Sequence, residues 1–152
     1  MEFRNGNFLI STDKTKLQLL IIHDFLANDS YWAKHVPLAV VQKATENSLC
    51  FGVYEGEKQI GFARVATDCA TFAYLADVFI LADYRRQGLA KWLMACILKH
   101  PELQGLRRWL LATRDAHGLY AQAWVVVRKD RRDGVFLAGG GVQSALFGFC
   151  TF

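Results

Sequence analysis

The apolar residues of this chain change period as they go, and each change marks an element. Phe8–Ser11 is a short apolar run of strand character, with Thr12 or Asp13 placed to cap the next helix. Leu17, Leu20, Ile21 and Phe25 recur at helical spacing and predict an amphipathic helix over residues 14–27. Asn28, Asp29 and Ser30 break it, Tyr31, Trp32 and His35 follow in a loop, and Pro37 opens a second helix over 38–47. Residues 49–54 and 60–67 are rich in aromatic and branched side chains and read as a hairpin with a longer turn at 55–59. A third strand, 74–81, comes after a turn at 68–71, and such short links favour an antiparallel meander. Leu89, Leu93, Cys96 and Ile97 give one apolar face to a helix over 86–100, which Pro101 ends. Residues 108–112 are the next strand, expected parallel to 74–81 because a helical crossover joins them. Asp115 caps a short helix at 116–122; further on, 124–128 and 135–138 have strand character around the Asp133-Gly134 turn.

With 152 residues and 53% hydrophobic content, the chain suits one packed domain. A net charge of +4 is too slight a basic excess for a nucleic-acid footprint and suits a small anionic ligand. Cys50, Cys69, Cys96 and Cys150 show no C-x-x-C spacing and no neighbouring His, so they read as reduced thiols of a cytoplasmic protein rather than a zinc site. The N-terminus has no long apolar segment of signal-peptide type, and no run approaches the ~18 apolar residues of a membrane span.

The stretch DVFILADYRRQGLA, residues 77–90, passes from strand to helix through R-x-x-G-x-A. A helix start offers unpaired N–H groups and partial positive charge, Gly88 and Ala90 let an anion approach the backbone, and Arg85 and Arg86 add donors. An isolated Arg pair reads first as a solvated loop; the adjoining Gly88 and helix start favour anion binding. A second motif, AHGLY at 116–120, lies one helix and one strand further on.

These two motifs, in this order of elements, resemble the Gcn5-related N-acetyltransferase (GNAT) superfamily, with its (Q/R)-x-x-G-x-(G/A) loop and A-x-x-L-Y helix. The stretches DFLANDSYWA and LRRWLLATRDAHGLY are also similar to an uncharacterised bacterial subgroup of that superfamily. The resemblance covers about residues 5–122. It implies an α/β fold with a mixed, mostly antiparallel central sheet flanked by helices, and an acetyl-CoA-dependent domain core at 1–122. Residues 123–152 form an atypical C-terminal segment. Thr113 stands where the family often has Asn, and residues 123–146 separate Leu119-Tyr120 from Phe147-Gly148-Phe149, where relatives join them directly. That is an insertion or a reading-frame irregularity; residues 124–128 and 135–138 are placed to supply replacement strands.

Acetyl transfer to an amine requires loss of a proton from the ammonium, a donor for the developing oxyanion and a proton for the leaving thiolate. The resemblance implies Tyr120 as the thiolate's proton donor, against a plain packing role on the sheet. Asp77, near the middle of an apolar strand, is the candidate base through a water; it reads alternatively as a carboxylate that satisfies a neighbouring Arg or a backbone group. Strict alternation puts Asp77, Phe79 and Leu81 on one face and Ala76, Val78 and Ile80 on the other. By resemblance the oxyanion donor is the Phe79 N–H, and the pantetheine arm pairs with Val78 and Ile80. The pyrophosphate then meets Arg86, Gln87, Gly88, Leu89 and Ala90, beside Arg85. Asp24, Tyr31 and Trp32 are candidates for the acceptor pocket, with His23 a weaker base and His35 nearby; the aromatics alternatively pack the loop on the core. The activity implied is acetylation of a primary amine of a small molecule in a ternary complex, in a protein that could pair as a homodimer. A non-catalytic acyl-CoA-binding module, or an acetyltransferase acting on protein Lys or N-terminal amines, are the alternatives.

Overall fold

The computed structural model describes residues 1–112 and the strand at 135–139. These strands form a single mixed sheet in chain order: β1 Glu2–Asn5, β2 Phe8–Ser11, β3 Leu49–Glu55, β4 Lys58–Thr67, β5 Phe72–Ile80, β6 Arg108–Ala112 and β7 Val135–Gly139. Neighbours are antiparallel except β5 and β6, which run parallel as the intervening helix requires. The helices are α1 Leu19–Asp24, α2 Leu38–Glu46 and α3 Leu89–Leu98. Among the described residues no helix is long and apolar enough to cross a membrane.

Each face of the sheet carries a core. Ile10, Phe51, Val53, Ile60, Val65 and Leu75 meet Leu89, Leu93 and Ile97 of α3 on one side. Cys50, Phe62 and Phe79 meet Ile22, Phe25, Leu26 and Val41 from the α1–α2 region on the other.

Several expectations shift in detail. β1 precedes the expected first strand; a two-residue turn at Gly6, whose φ is +56°, returns it to β2. The turn between β3 and β4 is tighter than expected, since Glu55 pairs with Lys58 and Gly56 takes φ +58°. The continuous helix over 14–27 is instead a 3₁₀ turn at Lys14–Lys16, then α1, then a π-helical turn at Phe25–Asp29. Gln18 explains the interruption. Its backbone N–H donates to Oε1 of the fully buried Gln59 at 2.7 Å, and the Gln59 N–H donates back to Gln18 Oε1 at 3.1 Å. That clasp to β4 fixes Gln18 outside helical geometry. The third strand begins two residues earlier than expected, and α3 begins at Leu89 after a 3₁₀ turn at Ala82–Tyr84. β7 takes the edge beside β6, with Arg108 opposite Gly139 and Ala112 opposite Val135. Tyr120, with the helix expected at 116–122, Thr113 and the strand expected at 124–128, lies outside the described residues.

Candidate active site

The site begins with an irregularity in β5. Phe62 pairs with Phe79 and Arg64 with Ala76, so Asp77 and Val78 together oppose the single residue Ala63. This β-bulge puts Asp77 in the left-handed region at φ +54°. For a residue with a side chain that costs about 1–2 kcal/mol, less for Asp than for most. From Val78 onward the faces are those alternation gives, Val78 and Ile80 toward the α3 core and Phe79 and Leu81 toward the other, and the bulge shifts only Ala76. Before the bulge, Ala73 and Leu75 face the α3 core. Ala76 does not oppose Asp77 as alternation required: it is paired with Arg64, whose side chain reaches Asp77.

Among the described residues, β5 pairs with β6 only from Phe72 to Leu75; from Ala76 to Ile80 it keeps β4 on one side and has no described β6 partner on the other. Among the described residues, that second edge is open to an extended guest chain, which can hydrogen-bond to a free strand edge as another strand would.

Where β5 ends, the chain forms a basic turn. A cavity of about 430 Å³ lies between Ile80, Tyr84 and Arg85, Arg86, Gly88, Leu89, Ala90 and Lys91. Gly88 caps α3 with φ +79°, Arg86 stands at φ +65°, and the Arg85 Nε donates to the Ile80 carbonyl at 3.0 Å. No acidic residue occupies the first turn of α3, and no ion pair among the described residues involves Arg85, Arg86 or Lys91. Cations at a helix N-terminus repel its partial positive charge. A bound anion turns that repulsion into attraction, so the arrangement suits a phosphate group. Arg85, Arg86, Gly88, Leu89, Ala90 and Ile80 thus sit together. Gln87 is exposed on the same turn.

On the α1–α2 side, the Asp77 carboxylate is held from two directions. Oδ2 accepts from Arg64 Nε at 2.7 Å and Oδ1 from the Trp32 indole N–H at 3.2 Å. The paired-carboxylate reading of Asp77 is therefore the arrangement seen, and the candidate base and a candidate acceptor residue are brought into contact. Tyr31 packs edge-on against Trp32 with centroids 5.1 Å apart, and both rings are more than two-fifths exposed. Asp24 is exposed and accepts from the Asn28 amide at 2.8 Å. His23 holds the Val36 carbonyl at 3.0 Å, and His35 sits at φ +61° with its N–H bonded to Ala27.

Arg64 is the site residue that sequence reasoning misses. Its signal is a single charged side chain in an apolar strand, IGFARVA. Cys50 lies in the core on this side, where burial pushes its thiol up to about 11 against the opposing pull of Lys14 and Arg64. It is protonated at neutral pH and is no candidate for a covalent acyl carrier.

The bulged strand and the basic helix start thus stand at the two ends of one short stretch of chain, and comparison with known proteins gives that arrangement a family. The model of the acetyltransferase (GNAT) family matches residues 19–124, and the chain belongs to that family. It is 53% identical to a crystal structure of a candidate GNAT-family acetyltransferase from Xanthomonas campestris pv. campestris, with a TM-score of 0.75 over 76% of this chain and 81% of that one. It is 32% identical, in an alignment 108 residues long, to a candidate acetyltransferase of Gibberella zeae, covering 59% of this chain and 61% of that one. The chain spans 46% to 61% of the length of the curated relatives it matches. The fold is also that of N-acetylglutamate synthase from Neisseria gonorrhoeae, crystallised with coenzyme A and L-arginine; TM-score 0.69, identity 12%, over 87% of this chain and 33% of that one.

Proposed function

We propose that this chain transfers the acetyl group of acetyl-CoA to a primary amine of a small molecule, by direct attack in a ternary complex. The observation that carries this reading is the basic start of α3, with Gly88 at its cap, at the end of a β5 edge that among the described residues pairs with β6 only as far as Leu75. The pantetheine arm lies along the free edge at Val78 and Ile80, and the pyrophosphate meets the N–H groups of Arg86, Gln87, Gly88, Leu89 and Ala90, with Arg85 alongside. The Phe79 N–H faces the thioester oxygen as it gains charge. Asp77 uses two of its four lone-pair sites on Arg64 and Trp32, and accepts the ammonium proton through a water on a remaining one. Tyr120 returns a proton to the thiolate. The half-exposed Tyr31 and Trp32 wall the acceptor, Asp24 lies at its margin, and the aromatic wall favours a small molecule over a protein chain.

The test is coenzyme A release from acetyl-CoA across a panel of primary amines. Turnover on at least one amine, lowered about a hundredfold or more in Tyr120→Phe without a change in acetyl-CoA affinity, supports the reading. Coenzyme A binding without turnover on any amine supports a non-catalytic acyl-CoA-binding module instead.

A further inference from the structure

We infer that Arg64 is the positioning residue of the acceptor side: through Asp77 it sets Trp32, and with Trp32 the wall against which the amine is held. Its role as a positioning residue rests on the acetyl-transfer reading, but the geometry stands without it. Arg64 projects from β4 and is anchored at both ends of its guanidinium. Nε donates to Asp77 at 2.7 Å, and one terminal nitrogen donates to Ser48 Oγ at 3.2 Å. Ser48 is buried and sits where α2 gives way to β3. Asp77 occupies the left-handed bulge and passes the constraint on to the Trp32 indole N–H at 3.2 Å. One side chain thus links the α2–β3 junction, the bulge of β5 and the loop that comes after the π-helical turn.

The link matters because, among the described residues, the bond to Asp77 is the one hydrogen bond of the Trp32 indole. The residue is 44% exposed, its ring meets Phe25 only at a 6.3 Å tilt, and Tyr31 leans on it in turn. The indole bond to Asp77 fixes which way that ring faces. Arg64 and Asp77 are themselves shielded, with side-chain exposures of 19% and 13%, so their bond is little weakened by solvent. A role limited to neutralising a shielded carboxylate needs only a positive charge. A positioning role needs the planar fork, which reaches Ser48 and Asp77 together; an ammonium on a flexible stem does not.

Arg64→Lys separates these two roles, because it keeps the charge and loses the fork. In protein labelled with ¹⁵N-tryptophan, the Trp32 indole signal is assigned by its absence from Trp32→Phe. In Arg64→Lys that signal is expected to move upfield and to exchange with water about tenfold faster. Titration with coenzyme A alone should give an affinity within about twofold of wild type, because the turn at Arg85–Ala90 is untouched. With the amine that releases most coenzyme A, kcat/KM for the amine should fall about tenfold while KM for acetyl-CoA holds. Trp32→Phe, an exposed change that keeps a ring and removes the donor, should raise the amine KM severalfold. An unmoved indole signal in Arg64→Lys overturns the inference, as does an unchanged amine KM in Trp32→Phe. The indole and coenzyme A readings need no turnover, so a failure of the inference is distinguishable from a failure of acetyl transfer.

Discussion

The ring of Phe79 lies flat on the ring of Phe25, with centroids 3.9 Å apart and planes 11° from parallel. Phe79 belongs to the half of β5 beyond its described pairing with β6, and Phe25 opens the π-helical turn that leads to Tyr31 and Trp32. The stack therefore joins the second half of β5 to the loop that carries Tyr31 and Trp32. Both rings are almost wholly buried, and Phe62 tilts against Phe79 at 6.2 Å. Phe79→Ala removes the contact and leaves a cavity, and should lower unfolding free energy by ~3–5 kcal/mol in urea. A loss below ~1 kcal/mol would show that the two elements do not depend on this stack.

Gly61 lies on β4 opposite Ile80. A Cβ there would stand 2.5 Å from the Ile80 Cδ1 and 2.9 Å from the Phe79 carbonyl oxygen. The Ile80 tip can turn aside, but the carbonyl belongs to the backbone beside the bulge. Gly61→Ala is therefore expected to lower stability by ~1–3 kcal/mol and to weaken coenzyme A binding with it. Thermal melting and calorimetry check the pair. Full stability with full binding would mean that β4 yields at this point without moving β5.

His100 gives the chain an acid-sensitive joint away from the site. Its Nδ1 accepts the Glu102 N–H at 3.3 Å, its ring meets Phe51 edge-on at 5.5 Å, and it is buried. Burial holds its pKa below the ordinary 6.5, against the opposing charge of Glu102. The unfolded chain therefore takes the proton first. The stability from neutral His100 is complete above pH 6.5 and is lost as pH falls through the lower folded value. In His100→Asn, an amide oxygen can accept the same N–H without titrating. The melting temperature of wild type should fall more steeply than that of the variant as pH drops below 6.5. Parallel curves would remove His100 from the acid response.

Legibility in the sequence tracks the strength of local signals. The meander of β3, β4 and β5, the parallel β6 and the helix between them rest on period and short links, and they form as read. Asp13, an expected cap, accepts from the Thr15 N–H at 2.9 Å. Asn5-Gly6 is a turn signal for the β1–β2 hairpin, but β1 is too short to show a period of its own. The break in the first helix depends on Gln18 meeting Gln59, residues 41 apart in sequence, and no local pattern carries that. The bulge at Asp77 is likewise a tertiary effect, set by how β4 and β5 register, and it takes Ala76 off the face that alternation predicts for it. For the site, the basic turn is legible because its residues are consecutive. The Arg64–Asp77–Trp32 group is not, because its members come from β4, β5 and a loop.

The claim on which the rest depends is that residues 77–90 form one cofactor cradle, and Gly88 tests it most directly. Its φ of +79° strains any side chain, yet a Cβ there would meet no atom within 4 Å. Gly88→Ala should therefore cost only about 1 kcal/mol of stability and keep most of the coenzyme A affinity. Gly88→Glu sets a carboxylate where the pyrophosphate belongs, and calorimetric titration with coenzyme A should show wild-type and Ala proteins binding and the Glu protein failing to bind while still folded. A folded Gly88→Glu protein that binds coenzyme A with wild-type affinity would contradict the account.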